Sequence, residues 1–131
     1  MLVVADDADH RDVYSQYLVH DGFAVETAAS GPEAVAKATH MNPDVIVMDI
    51  ALPVMDGYEA TQILKQGSST APIPVIALTA HSIEYSLYAA LAAGCDTYLT
   101  KPCAPADLAA IVRKVLAWKR HGVGLPAGRR L

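Results

Sequence analysis

A chain of 131 residues that is 53% hydrophobic has the length for one domain with a real core. None of its apolar runs approaches the roughly 20 residues of a membrane span, and the opening MLVVADD lacks the charged flank and cleavage site of a secretory leader. The net charge of -4 is split: residues 1–112 hold all 14 acids and four bases, whereas 113–131 hold six bases and no acid, which argues against a nucleic-acid surface on the body.

In chain order, Leu2-Val3-Val4-Ala5 reads as a short apolar strand ending in Asp6-Asp7. A helix follows, with Val13, Tyr14, Tyr17 and Leu18 at helical spacing and Asp21-Gly22 to stop it. Phe23 to Thr27 alternates as a strand. Ser30-Gly31-Pro32-Glu33 is a capping box with proline in the first turn, opening a helix that carries Ala34, Val35, Ala38 and Met41. Asn42-Pro43 breaks that helix. Val45 to Met48, mostly β-branched, then run straight into Asp49, the pattern of a strand buried on both faces with a carboxylate where it leaves the core.

After Asp49 comes a loop closed by Pro53, then Asp56 as the cap of a third helix, with Glu59 three residues on. Ile63 and Leu64 are expected to face the core, and Gly67-Ser68-Ser69 ends the helix. Pro72 and Pro74 flank the strand Val75 to Leu78, which runs into Thr79. A fourth helix, about Ile83 to Ala93, ends at Gly94. Thr97 to Thr100 is the last strand, leading into Lys101-Pro102, and Pro105 starts a fifth helix with Leu108, Ile111, Val112, Val115 and Leu116 as one stripe. The expected domain spans residues 1–118. Residues 119–131 make a flexible basic tail, too rich in Gly and Pro from His121 onward to pack.

Five strand–helix repeats imply an α/β parallel sheet with helices on both faces, joined by right-handed crossovers. All five strands then end on one edge, where an open sheet of this kind places its ligands. That edge collects Asp6, Asp7, Asp49, Thr79 and Lys101. Gathered carboxylates repel one another, and a cation removes the conflict. An all-oxygen set with room for water suits Mg²⁺. With Lys101 as a compact positive charge and Thr79 as a hydroxyl donor, the set suits phosphoryl transfer to a carboxylate, with Asp49 as nucleophile. Each residue alone has a plainer reading: Asp6-Asp7 as a helix-start signal, Thr79 as a structural hydroxyl, Lys101 as a surface lysine. Cys95 and Cys103 read as buried or bystander thiols of a reducing cytoplasm, and the five histidines form no metal-ligand spacing.

The LVVADD opening, DIALPVMDG around Asp49, PVIALTA ending at Thr79-Ala80, and YLTKP with Tyr98, Lys101 and Pro102 resemble the response-regulator receiver domain of two-component signalling. The resemblance covers about residues 1–118. It implies a flavodoxin-like (βα)5 doubly wound fold with strand order 2-1-3-4-5. It also implies Asp49 as phosphoacceptor, one Mg²⁺ with a backbone-carbonyl ligand from Ala51, Thr79 as switch hydroxyl and Lys101 as phosphoryl contact. Tyr98 matches the aromatic that follows Thr79, and the Lys101-Pro102 bond is expected to be cis. Ala51 and His81, each two residues past a site residue, match positions that modulate how long the phosphoryl group survives.

One departure stands out. Asp6 aligns with the usual Mg²⁺-ligating acid, Ala5 stands where the family normally has a second acid, and Asp7 is a stand-in candidate. Losing one carboxylate is expected to weaken Mg²⁺ binding. The implied protein is a phosphorylation-controlled switch rather than an enzyme beyond its own modification and dephosphorylation. A histidine kinase or phosphotransfer protein supplies the phosphoryl group, and a protein target meets the helix 4–strand 5–helix 5 face. It is expected to be a monomer or weak dimer that binds neither DNA nor membrane. The alternatives are a pseudo-receiver that binds partners without phosphorylation and, further off, a fragment of a hybrid kinase or multidomain regulator. A phosphatase with an aspartyl-phosphate intermediate usually carries a second acid two residues after the nucleophile, where this chain has Ala51.

Overall fold

The computed structural model describes residues 1–52, 54–79, 89–101 and 103–120, the side chains of 119 and 120 excepted. Pro53, His81, Pro102, the expected start of the fourth helix and the tail from His121 lie outside the described residues. Strands β1 (Leu2–Val4), β2 (Glu26–Ala28), β3 (Ile46–Asp49), β4 (Val75–Thr79) and β5 (Thr97–Thr100) form one parallel sheet in the order β2-β1-β3-β4-β5. This is the flavodoxin-like order. Helices α1 (Ala8–His20), α2 (Gly31–Met41), α3 (Gly57–Gln66) and α5 (Pro105–Arg120) connect or follow the strands, and residues 89–93 are helical and numbered α4.

Strand side chains alternate between the two sheet faces, and the core divides accordingly. Leu2, Val4, Ile46, Met48, Val75 and Ala77 pack in one cluster with Ala34 and Ala38 of α2, Ala60 and Leu64 of α3, and Ala90. Val3, Val47, Ile76 and Leu78 pack in the other with Tyr14 and Leu18 of α1 and Leu108, Val112 and Val115 of α5. The expected stripe of α5 is therefore buried as a unit, with Ile111 in the same cluster and Leu116 packed against it. That helix runs to Arg120, two residues past the expected limit of 118, through residues that favour helix.

The sequence signals for starts and stops operate locally. Ser30 Oγ accepts from the Glu33 N–H at 3.3 Å, while the Glu33 carboxylate reaches back one residue further than a strict capping box, to the Ala29 N–H at 2.8 Å. Asp56 caps α3 through the Glu59 N–H at 2.9 Å, and Asn42 closes α2 in the left-handed conformation (φ 51°). The Lys65 ammonium donates to the Ala71 and Ile73 carbonyls and to Asp96 at 3.1 Å, and Asp96 also takes the Val75 N–H, which fastens the entry of β4 to that of β5. On α2, Lys37 Nζ donates to the Thr27 carbonyl of β2 at 2.6 Å.

Several helix positions expected in the core are not there. Val13 is 52% exposed, and Tyr17, Met41 and Ile63 lie at or near 40%. A single sheet face and one neighbouring helix cover only a narrow stripe, so the flanks of a four-residue apolar stripe stay in water. The second strand also begins later than expected, at Glu26 rather than Phe23, because β1 offers only Leu2–Val4 as pairing partners. Phe23 packs instead against the α1–α5 cluster, with the Arg113 guanidinium 5.9 Å from its ring centre. The neighbouring pair on α3 separates these cases. Leu64→Ala is expected to cost about 2–5 kcal/mol of stability and Ile63→Ala less than about 1 kcal/mol, read from urea unfolding midpoints; equal costs would contradict the assigned face.

Candidate functional site

Alternation along β3 places Ile46 and Met48 on the α2–α3 side and Val47 on the α1–α5 side, so Asp49 turns toward α1 and α5 as the strand ends. Its side chain is only 4% exposed. A buried charge of that kind requires a partner, and Lys101 Nζ meets Asp49 Oδ2 at 2.6 Å. The Ala51 N–H donates to Oδ1 at 3.0 Å, which fixes the plane of the carboxylate. Lys101 arrives from the end of β5, where its own N–H donates to the Thr79 carbonyl at 2.7 Å. Asp49, Lys101, Thr79 and the Ala51 amide thus come together at the carboxyl edge. Thr79 is buried as the last residue of β4, and Tyr98 is half-buried beside the α2–α3 cluster.

The remaining expected acids lie at the end of β1. Register pairs Val4 with Met48, and one step further sets Ala5 alongside Asp49, so the residue level with the carboxylate is the one lacking an acid. Asp6 and Asp7 follow as exposed residues. Asp7 serves as the N-cap of α1, accepting the Asp9 N–H at 2.9 Å, with its other oxygen 3.6 Å from His10 Nδ1. The plainer of its two readings is the one the geometry shows. The Arg11 guanidinium donates to the Ala5 carbonyl at 2.6 Å, placing a positive charge at the end of β1. Ala51 is exposed, whereas His81 and Pro102 lie outside the described residues.

No three His, Cys, Asp or Glu residues gather as a metal group among the described residues. The donor chemistry present is two carboxylates, Asp6 and Asp49, and the Ala51 carbonyl. An all-oxygen set of that size fits Mg²⁺, which is usually held by one or two carboxylates and keeps several waters. The thiols play no part in such chemistry. Burial pushes Cys95 up to about 11, so it stays protonated near neutral pH, and burial also raises Cys103.

The loop after Asp49 carries features that sequence reading passed over. Gly57 was legible only as a turn residue, yet an ideal Cβ there would sit 2.5 Å from the Asp49 carbonyl oxygen and 2.8 Å from Ile50 Cα. Its N–H donates to the Ile50 carbonyl at 3.1 Å. Gly31, at the start of α2, lets Met55 approach to within 3.0 Å of where a side chain would begin. Between them, Val54 is fully exposed with φ 67°, a left-handed conformation that is rare for a β-branched residue.

The sequence matches the response regulator receiver domain over residues 1–113. It is 40% identical over 122 residues to the transcriptional regulatory protein PrrA of Mycobacterium leprae, a match covering 93% of this chain and 51% of that protein. The chain therefore spans about half the length of such curated relatives. Among solved structures, the chemotaxis protein CheY4 of Vibrio cholerae superposes with a TM-score of 0.83 at 34% identity, covering 87% of this chain and 95% of that one. The receiver domain of the sensor histidine kinase PA1611 from Pseudomonas aeruginosa, with a magnesium ion coordinated in its active-site cleft, superposes with a TM-score of 0.82 at 34% identity, covering 88% and 95%.

The tight contact at Gly57 yields a direct expectation. Gly57→Ala must push backbone rather than a flexible side chain, and is expected to lower stability by about 1–3 kcal/mol in urea unfolding. An unchanged midpoint would mean that the loop yields freely.

Proposed function

The chain belongs to the response regulator receiver domain family, and from that premise we propose that Asp49 accepts a phosphoryl group from a histidine kinase or histidine phosphotransfer protein. Receiver domains of two-component systems are phosphorylation-based signalling switches rather than classical enzymes. The observation that carries the assignment is the buried Asp49–Lys101 pair at the carboxyl edge of the sheet.

In this reading one Asp49 oxygen attacks phosphorus, the bond from phosphorus to the donor histidine nitrogen breaks, and its electron pair stays on the imidazole. The Ala51 N–H holds the carboxylate in place during the attack. Lys101 Nζ, already at the carboxylate, holds a phosphoryl oxygen as charge builds there. The Thr79 hydroxyl turns toward the new group, and half-buried Tyr98 follows into the space behind it. The α4–β5–α5 face then changes its preference among protein partners, which requires only a modest bias between two packings. A Mg²⁺ held at this edge would supply positive charge to offset that of the phosphoryl group. Asp6, Asp49 and the Ala51 carbonyl would hold it, with Asp7, the cap of α1, as a stand-in acid.

Output through protein contact, without direct DNA binding, fits the acidic body of the domain. Residues 1–120, to the end of α5, form the switch, the residues beyond it a tail, and Ala51 and His81 set the lifetime of the phosphoryl group. Among the described residues no helix is long and apolar enough to cross a membrane, and we place the switch in the cytoplasm as a monomer or weak dimer.

Incubation with acetyl phosphate is expected to add one phosphoryl mass to the intact protein, only with Mg²⁺ present and not in Asp49→Ala. No adduct in a folded sample at high Mg²⁺ would replace this reading with a pseudo-receiver that binds partners without phosphorylation. The observation favouring that second reading is Ala5, level with Asp49 and bonded through its carbonyl to Arg11. For the same reason Mg²⁺ binding is expected to be weak, and Ala5→Asp to tighten it about tenfold in a titration, since ligand charge sets affinity. Unchanged affinity would remove position 5 from the ion site.

A further inference from the structure

We infer that Tyr14 is a positioning residue for Lys101: its hydroxyl ties the β5–α5 connection to α1 and thereby holds the lysine ammonium on Asp49. The inference rests on the roles assigned above to Asp49 and Lys101. Tyr14 Oη donates to the Cys103 carbonyl at 3.2 Å, across 89 residues of chain. Cys103 is two residues past Lys101.

The connection is fixed at its start by the Lys101 N–H on the Thr79 carbonyl, and at its end by the Ala104 carbonyl taking the Asp107 and Leu108 N–H groups as α5 begins. The Tyr14 bond falls between those two anchors. It comes from the sheet face toward which Asp49 turns, where Tyr14 packs with Leu18, Val47 and Leu108.

Volume alone does not account for a phenol here. A leucine or phenylalanine would fill an apolar position between α1 and the sheet, whereas a tyrosine 8% exposed brings a hydroxyl that must find an acceptor. The acceptor it finds is a loop carbonyl next to the site. Burial, then the charges of Cys103 and Asp49, raise the phenol above its ordinary value, so its proton stays on and the group remains a donor. Lysine needs such help, because its ammonium rides on a flexible four-carbon stem. A displacement of about 1 Å in a reacting site can reduce rate roughly 100-fold.

The test substitutes Tyr14→Phe, which keeps the ring and removes one oxygen. Tyr14→Leu serves as a second variant without a donor. Two quantities are measured: the NMR order of the Lys101 ε-methylene in the unphosphorylated protein, and the rate of adduct formation with acetyl phosphate and Mg²⁺. Melting temperature is recorded beside them. The expected result is lower Lys101 order and adduct formation slowed about fivefold, the weight of one hydrogen bond. In a Lys101→Met background the same change should be silent. Unchanged Lys101 order would overturn the inference, as would equal slowing in both backgrounds, which marks a merely structural residue. If the unsubstituted protein takes no phosphoryl group, the assignment of Asp49 falls, and Lys101 order alone decides whether Tyr14 positions it.

Discussion

A carboxylate buried at the end of the central strand is the constraint around which this molecule is arranged. β3 is covered on both faces, so Asp49 has almost no water and depends on the ammonium of Lys101, 52 residues further along the chain. Separating such a pair leaves an uncompensated buried charge, typically at a cost of about 3–5 kcal/mol. The pair therefore ties β3 to β5 across β4, and the Lys101 amide on the Thr79 carbonyl brings the end of β4 into the same assembly. Three strands meet at one charge. A change in that charge acts on all three at once, which is the physical basis for a switch at this edge.

The loop leaving Asp49 is held from both sides by glycines. Gly57 lets the first turn of α3 fold back onto the backbone of Asp49 and Ile50, and Gly31 lets Met55 settle against the start of α2. Asp56 completes the clamp as the cap of α3. Val54, between those holds, is bent into a conformation that a β-branched residue adopts at a cost of roughly 1–3 kcal/mol. Strain there is sustained by the two clamps, five residues past Asp49.

Most of the fold was legible because its signals are local. Asp21-Gly22, Asn42, Asp56 and Gly67 each stop or start a helix where the sequence indicated. Periodicity gave the direction of each apolar stripe but not its width, which the neighbouring elements decide. Tyr14 and Leu18 are therefore buried, while Val13 and Tyr17 are not. The candidate site was legible through topology: Asp6, Asp49, Thr79 and Lys101, each ordinary alone, gained meaning from falling at the ends of parallel strands. The contacts that remained hidden join distant positions, such as Lys65 with Asp96 and Tyr14 with Cys103. No local pattern encodes them. Asp7 was ambiguous for a different reason, since a helix cap and a metal ligand look alike until the backbone is in place.

β2 is one of the two outer strands of the sheet. Glu26 and Ala28 bond inward to β1, which leaves the Thr27 carbonyl pointing away from the sheet, and Lys37 of α2 occupies it. An open strand edge invites any extended peptide to add on, the first step of aggregation. Here that edge is three residues long, and its outward acceptor already holds an ammonium ion. Such a protein can accumulate to high concentration in a crowded solution without its copies joining strand to strand along this border, leaving its helical faces to choose their partners.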